Sequence, residues 1–227
     1  MTGTSLVIGN DTLLPAHDRG LGRRHFLLGG AATILTGGAA VMYPAHGQDR
    51  GAEDFMRTVL VDANAAMGAS ADKKEQFRLI DRLVDRHVDM RRTGRFVLGR
   101  YARQMTQEQA ADYYPLFRKF ATLIYQNILS EYDGEALEVT GSVIRSARDI
   151  IVNSKVINSR PGDRFADTVF QWRLYRAPKG LKVVDAGANN IWLAIEQRSQ
   201  FESVIANNGG GTKGIDALIS QLRKRVG

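Results

Sequence analysis

The chain has 227 residues, with 31 Lys and Arg against 24 Asp and Glu, 44% hydrophobic residues and no cysteine. This composition is typical of one globular domain. The lack of cysteine excludes a disulfide framework, a thiol nucleophile, an iron–sulfur cluster and a cysteine-rich zinc site.

The first 47 residues have the pattern of an export signal. Arg23 and Arg24 stand directly before an apolar run over 26–42 that is rich in Gly and Ala. A twin-arginine pair ahead of such a run is typical of the signal read by the translocase that exports folded proteins. We expect cleavage before Gln48. The alternative is an uncleaved membrane anchor, for which this run of about 17 residues is at the lower limit of length.

The predicted mature domain is therefore 48–227, in the periplasm. Residues 1–47 hold three arginines and two aspartates, which leaves 28 basic and 22 acidic residues and a net charge of +6. Nucleic acid is not an expected partner in that compartment. We interpret the positive charge instead as serving solubility, contact with anionic lipid headgroups, or contact with acidic protein surfaces.

The first part of this domain, 52–132, is predicted to be helical. Apolar residues recur three and four apart over 52–67 and again from Asp72, which is the spacing of one buried helix face. His87 lies on the second of these helices among charged neighbours, and it is the one histidine after residue 47. Without a second His or a Cys to complete a metal site, we interpret it as a solvated surface residue.

A long aromatic helix is predicted over 106–131. Thr106 and Gln109 have the spacing of a capping box at its start, and Pro115 is expected to kink or divide it. Its apolar stripe is wider than one contact surface needs. Periodicity alone favours a packed core over the lining of a ligand pocket, and both readings stay open.

The residues over 137–196 alternate between apolar and polar, which predicts a sheet. Phe170, Trp172 and Leu174 share one dry, aromatic face of the third strand. Short connections favour an antiparallel meander. The predicted strands are 137–145, 149–157, 165–175, 181–186 and 191–196.

The C-terminal part, 197–227, is predicted to hold two helices, over 198–206 and 215–225, joined by the glycine-rich segment 207–211. The segment 209–214 superficially resembles a phosphate-binding loop. It lacks the required spacing and joins two helices, so we interpret it as a linker.

Common catalytic motifs are absent from the sequence. Asp185, between apolar neighbours on a predicted strand, is the best single candidate for a general base. An aspartate at a strand end more often pairs with an arginine or caps a turn.

Several segments, taken in order, suggest a family. They are 96–101, Thr106 to Gln109, the aromatic helix with Phe117, Phe120 and Tyr125, the pair Val184-Asp185, then 197–201 and 213–222. This order, which covers the chain from about residue 52 to its end, resembles the MlaC family of toluene-tolerance auxiliary proteins.

The resemblance implies an α+β fold in which a helical N-terminal half packs on a curved antiparallel β-sheet, encloses an apolar cavity and ends in C-terminal helices. It implies a periplasmic carrier that shuttles phospholipid between an outer-membrane lipoprotein complex and an inner-membrane complex of MCE protein, permease and ATPase, as part of an ABC-type lipid transport system. Such a carrier is not an enzyme and needs no cofactor or metal. We predict that the cavity is lined by Phe96, Leu98, Tyr101, Phe117, Phe120, Ile124, Phe170, Trp172, Leu174 and Trp192.

Three alternatives remain at this point. The cargo could be a hopanoid lipid within the same family. The protein could be a small α+β enzyme that uses Asp185 as a base, or a structural envelope module whose apolar residues fill a core. Core and cavity require the same apolar residues, so the sequence does not separate them.

Overall fold

The structure is a computed structural model. It describes residues 47–68, 72–130, 136–158, 160–163 and 165–227, together with the backbone of a short pairing near the N-terminus. That pairing joins β1 (Val7–Ile8) to β2 (Asp11–Thr12) in antiparallel register. The chain divides into two units at residue 47, and the second unit, 47–227, is compact. Arg23, Arg24 and the apolar run 26–42 lie outside the described residues.

The described part of the second unit contains six α-helices and one 3-10 turn. Asp72 starts the second helix by accepting the N–H of Lys74 at 3.0 Å, and Asp89 starts the third by accepting the N–H of Arg92 at 3.0 Å. The helices are α1 (Arg50–Gly68), α2 (Lys73–His87), α3 (Met90–Val97), α4 (Gln107–Ser130), α5 (Leu193–Asn207) and α6 (Gly211–Val226), and the turn is Gly99–Arg103.

The predicted capping box at the start of α4 is confirmed. The N–H of Thr106 donates to Oε1 of Gln109 at 3.1 Å, and the N–H of Gln109 donates to Oγ1 of Thr106 at 3.1 Å. Pro115 does not divide the helix, which runs without interruption to Ser130. Tyr113 and Phe117, on either side of Pro115, are both buried, so tertiary packing holds the helix together where one backbone hydrogen bond is missing.

The sheet is an open antiparallel meander of five strands in the order β3-β4-β5-β6-β7. Four helices precede this sheet in the chain and two follow it, so the predicted α+β fold is confirmed. Its strands are β3 (Leu137–Ser146), β4 (Asp149–Val156), β5 (Phe170–Ala177), β6 (Gly180–Ala188) and β7 (Ile191–Trp192).

Three of the four strand connections are tight two-residue hairpins. In the hairpin between β6 and β7, Asn189 and Asn190 have φ angles of 49° and 67°. A type I′ turn requires left-handed backbone at both central positions, and asparagine tolerates it better than most residues. The turn matches the twist of the two strands it joins.

The third and fifth strands differ from the sequence prediction. β5 begins at Phe170 and not at 165, because local turns satisfy the preceding backbone: the N–H of Thr168 donates to the carbonyl of Phe165 at 3.0 Å. β7 ends at Trp192, and 193–196 belong to α5. The sheet therefore ends four residues before the predicted boundary at 196.

The two C-terminal helices pack closely against each other. A Cβ on Gly214 of α6 would lie 2.3 Å from the carbonyl oxygen of Ile205 on α5, so only glycine fits. α6 begins at Gly211, four residues before the predicted start at 215, and the glycine-rich segment is a short connection between two helices. Within the described ranges, no helix combines the length and apolar character needed to cross a membrane.

Candidate functional site

One face of the sheet is apolar and is covered by α1. We call it the inner sheet face, and it carries Phe170, Trp172 and Leu174, which lie opposite Ser154, Val152 and Ile150 of β4. The adjacent cluster of buried residues joins this face to α1. Its members are Ala52, Met56, Val59, Leu60, Val139, Ile150, Val152, Leu174 and Val183.

Trp172 lies at the margin of this cluster and is half-buried. Its indole Nε1–H donates to Oγ of Ser154 at 2.9 Å, and Ser154 is fully buried. The hydrogen bond fixes the ring orientation and satisfies the one polar atom of the side chain. The part of the Trp172 side chain that is not buried against the cluster is therefore apolar carbon.

The aromatic residues of α4 form a second apolar region, which we call the helical cluster. The ring of Phe201 on α5 lies 6.3 Å from that of Phe117 and 5.9 Å from that of Phe120. Tyr113 stacks on Phe117 at 5.7 Å and donates its hydroxyl to the carbonyl of Gly94 on α3 at 2.9 Å. The helical cluster ties α3, α4 and α5 together.

The structure distributes the ten predicted lining residues over the sheet, α3, α4 and the 3-10 turn. Phe170, Trp172 and Leu174 share the inner sheet face. Phe96 and Trp192 are half-buried, the first beneath the guanidinium of Arg198 and the second over Gly187. The other five are buried: Phe117, Phe120 and Ile124 on α4, Tyr101 in the 3-10 turn, and Leu98 between α3 and that turn. Their role as cavity lining stays a prediction.

Tyr125 of α4 was not singled out as a site residue from the sequence. It is half-buried by surface area, yet burial raises the pKa of its hydroxyl well above its usual value, and the charge of Asp185 adds to this shift. Tyr125 is therefore an additional residue whose hydroxyl is shielded from water, and its pKa responds to the charge of Asp185.

The hydrogen bonds of Asp185 are those of a structural residue. Its Oδ1 accepts the N–H of Ala186 and the N–H of Ala194, each at 2.9 Å. Ala194 lies in the first turn of α5, so this carboxylate satisfies a backbone donor that the helix itself cannot satisfy. Burial raises the pKa of Asp185 to about 6, against the lowering effect of both hydrogen bonds.

The interpretation of His87 as a solvated residue was wrong. His87 is buried, its Nε2 lies 2.9 Å from Oδ2 of Asp62 on α1, and its ring meets that of Phe55 edge to face at 5.8 Å. These contacts tie α2 to α1. The partners lie on another helix, so charged neighbours in sequence gave no sign of them.

Within the described ranges, no group of three His, Asp or Glu side chains is arranged so that it could hold a metal ion.

The residues that sequence reasoning missed are apolar residues packed against the inner sheet face or within the helical cluster. Met56 is fully buried and adjacent to the α1 stripe that the spacing does indicate, while Phe201 carries no signal beyond its place in a short helix.

Comparisons with known proteins agree with this architecture. A family model described as MlaC protein matches residues 53–224. Among solved structures, the chain is similar to the phospholipid-binding protein from Ralstonia solanacearum, determined in complex with a phospholipid, with 25% sequence identity and a TM-score of 0.63. The match covers 77% of this chain and 96% of that chain.

Proposed function

Because the chain belongs to the MlaC family, whose model matches residues 53–224, we propose that it binds a phospholipid and carries it between membranes. The observation that carries this proposal is the similarity to a solved protein that holds a phospholipid, over 77% of this chain. The inner sheet face and the helical cluster supply the apolar surface that such a ligand requires.

The driving force for binding is burial of the acyl chains. Each CH₂ group removed from water contributes about 0.8 kcal/mol, so two chains give a large favourable term. Phe170, Trp172 and Trp192 are half-buried, which leaves apolar carbon available for contact. In our proposal the tails lie against these residues and the headgroup faces solvent.

The proposed carrier role specifies a cellular location and two partner complexes. We assign the protein to the periplasm, reached through the twin-arginine signal over 1–47, where it takes up and delivers phospholipid at an outer-membrane lipoprotein complex and at an inner-membrane complex of MCE protein, permease and ATPase. A carrier that held its cargo equally tightly everywhere would transport nothing. Docking must therefore lower its affinity for the lipid.

The proposed activity involves no covalent chemistry. Asp185, the candidate base, has its Oδ1 occupied by two backbone N–H groups and is only 4% exposed. These contacts support a structural role for the carboxylate. They favour a binding protein over an enzyme that uses Asp185.

The direct test is native mass spectrometry of the protein purified from the periplasm without detergent, followed by organic extraction of the bound material. A stoichiometric phospholipid is the expected result, and a hopanoid would keep the carrier role but change the cargo. Protein that is free of lipid and does not extract labelled phospholipid from liposomes would contradict the proposal.

Trp172→Glu places a charge on the inner sheet face and should abolish co-purified phospholipid, because the carboxylate would have to be desolvated beside the acyl chains. Lys155→Glu, on the exposed side of the neighbouring strand, is the matched control and should keep its lipid. Circular dichroism establishes that both variants fold. Full lipid occupancy in folded Trp172→Glu would remove this residue from the site.

A further inference from the structure

A cluster of cations surrounds Tyr175 at one end of the sheet. The guanidinium of Arg92 lies 3.4 Å from the centre of the Tyr175 ring, and Nη1 of Arg148 lies 3.4 Å from the Tyr175 hydroxyl. Lys182 lies directly opposite Tyr175 in the register of β5 and β6. We call this end, with Arg92, Arg148, Tyr175, Lys179 and Lys182, the hairpin end.

Most carboxylates near the hairpin end are already engaged. Asp149 accepts two hydrogen bonds from Arg173, and Asp89 pairs with Arg92 at 3.5 Å. Asp49 pairs with Arg176. Within the described ranges, no ion pair joins a carboxylate to Arg148, Lys179 or Lys182; Arg148 donates to the Tyr175 hydroxyl and Lys182 to the carbonyl of Arg86.

Two of these cations act directly on Tyr175. The hydrogen bond from Arg148 and then the charge of Arg92 lower the pKa of the Tyr175 hydroxyl. Nearby cations lower the pKa of a phenol because they stabilise its charged form. Basic side chains therefore lie within interaction distance of the half-buried Tyr175 from both α3 and the hairpin between β3 and β4.

A groove opens beside this cluster. It has a volume of about 400 Å³, and Val88, Met90, Ala177 and Pro178 form its apolar walls. Asp89, Lys179 and Lys182 lie at its rim. Apolar walls with mainly basic charge at the rim suit an apolar side chain flanked by carboxylates.

The hairpin end is built before any partner binds. The N–H of Arg176 donates to the carbonyl of Arg148 at 3.0 Å, which joins the two hairpins. The N–H of Asp89 donates to the carbonyl of Val183 at 2.9 Å, which joins the start of α3 to β6. Since little ordering is needed on binding, little entropy is lost.

We infer that the hairpin end is a docking surface for an acidic segment of a partner protein, with an apolar side chain of that segment seated in the groove. The inference rests on the proposed carrier function, which requires protein partners. A protein segment fits better than a membrane surface, because apolar walls and cations lie side by side in one open groove, and a peptide can present an apolar side chain and carboxylates at that spacing.

The position of the groove also connects docking to the cargo. Val88 pairs with Val183, and Val183 belongs to the buried cluster beneath the inner sheet face. Thr93 donates its hydroxyl to the carbonyl of Val184 at 2.7 Å. A partner pressed against Val88 and Met90 therefore acts on a junction where α2 and α3 meet β6.

The test uses charge reversal at the two exposed cations, Arg148→Glu and Lys179→Glu, alone and together. The matched control is Lys213→Glu with Lys224→Glu on α6, which changes net charge equally at exposed positions away from the groove. Binding is measured by biolayer interferometry against the purified MCE protein, against the purified outer-membrane lipoprotein of the same organism, and against vesicles of phosphatidylcholine and phosphatidylglycerol. Native mass spectrometry measures the bound lipid of each variant.

We expect the double reversal to weaken binding to at least one partner by about tenfold or more, the control to stay within about twofold, and lipid occupancy to be unchanged. Partner binding that is equal in all variants would overturn the inference while leaving the carrier function intact. Loss confined to vesicles of phosphatidylcholine and phosphatidylglycerol would overturn it in favour of a membrane surface. Failure of the carrier function would show separately, as absence of lipid from the wild-type protein.

Discussion

At the scale of single residues, Asp185 combines burial with a fixed hydrogen-bonding role. Its carboxylate holds the start of α5 through the N–H of Ala194, yet desolvation raises its pKa to about 6. In an unfolded chain an aspartate has a pKa near 3.9. The folded protein therefore keeps a proton on Asp185 over a pH range in which the unfolded chain has released it.

This difference in pKa makes stability depend on pH. As pH rises from about 4 to about 7, wild-type protein should lose on the order of 3 kcal/mol through Asp185, because the charged form is disfavoured in the folded state. Asp185→Asn does not titrate and retains an oxygen that can accept both N–H groups. Its free energy of unfolding, relative to wild type, should rise across the same pH range.

Urea unfolding of delipidated protein from pH 4 to pH 8 measures this difference. Asp167→Asn, at an exposed position, is the control and should give a flat difference. A flat or falling difference for Asp185→Asn would show that the carboxylate is solvated and that its burial does not control its charge.

Single residues also mark a limit of sequence reasoning. The apolar stripe of α1 is readable because its members lie three and four residues apart. The contact between His87 and Asp62 joins residues 25 apart on two helices, and the link from Asp185 to Ala194 depends on where a hairpin folds back. Such contacts follow from the packed arrangement of elements, which local spacing does not encode.

At the scale of elements, the α5–α6 pair depends on a glycine. Gly214→Ala would place Cβ 2.3 Å from the carbonyl oxygen of Ile205 and 2.7 Å from its Cγ2, so the helices would have to separate. Overpacking of this kind costs about 1–3 kcal/mol, and we expect a loss in that range.

Gly51→Ala is the matched control for this variant. Gly51 lies on α1, and the nearest atom to an added Cβ is Oδ1 of Asp49 at 3.5 Å. Alanine there should not destabilise the protein; the gain is at most the roughly 0.5–1 kcal/mol of a helix interior, because Gly51 lies in the first turn. Thermal unfolding of both variants measures the contrast, and equal unfolding temperatures would show that α5 and α6 adjust without cost.

The elements also differ in how well the sequence predicts them. The start of α4 is predictable because both members of its capping box lie within four residues. The start of β5 is not, because 165–169 keep an alternating pattern while local turns satisfy their backbone. The start of α5 is not predictable either, because the group that accepts the N–H of Ala194 in its first turn is a carboxylate on another element, Asp185 of β6.

At the scale of the whole molecule, a carrier whose ligand contributes to its apolar interior should be less stable when empty. A ligand that binds only the folded state at about 1,000 times its Kd adds about 4 kcal/mol. For a domain of the size of 48–227, this corresponds to a fall in Tm of roughly 10 °C on removal of the lipid.

Circular dichroism melts of native and delipidated protein test this expectation. Addition of phosphatidylglycerol vesicles to delipidated protein should restore the higher Tm. Identical melting of the two forms would indicate a filled core whose stability owes nothing to lipid, which is the arrangement that the sequence left open.

The edges of the open sheet have a consequence for the protein's behaviour in a crowded compartment. β3 has a sheet neighbour on one side only, its register is interrupted between Val139 and Gly141 and again between Ile144 and Ser146, and β7 at the opposite edge has two residues. Irregular or very short edge strands offer no continuous ladder to a second chain. The exposed polar side chains of Glu138, Thr140 and Arg145 add to this along β3, so the β3 edge is poorly suited to strand-to-strand aggregation at high concentration.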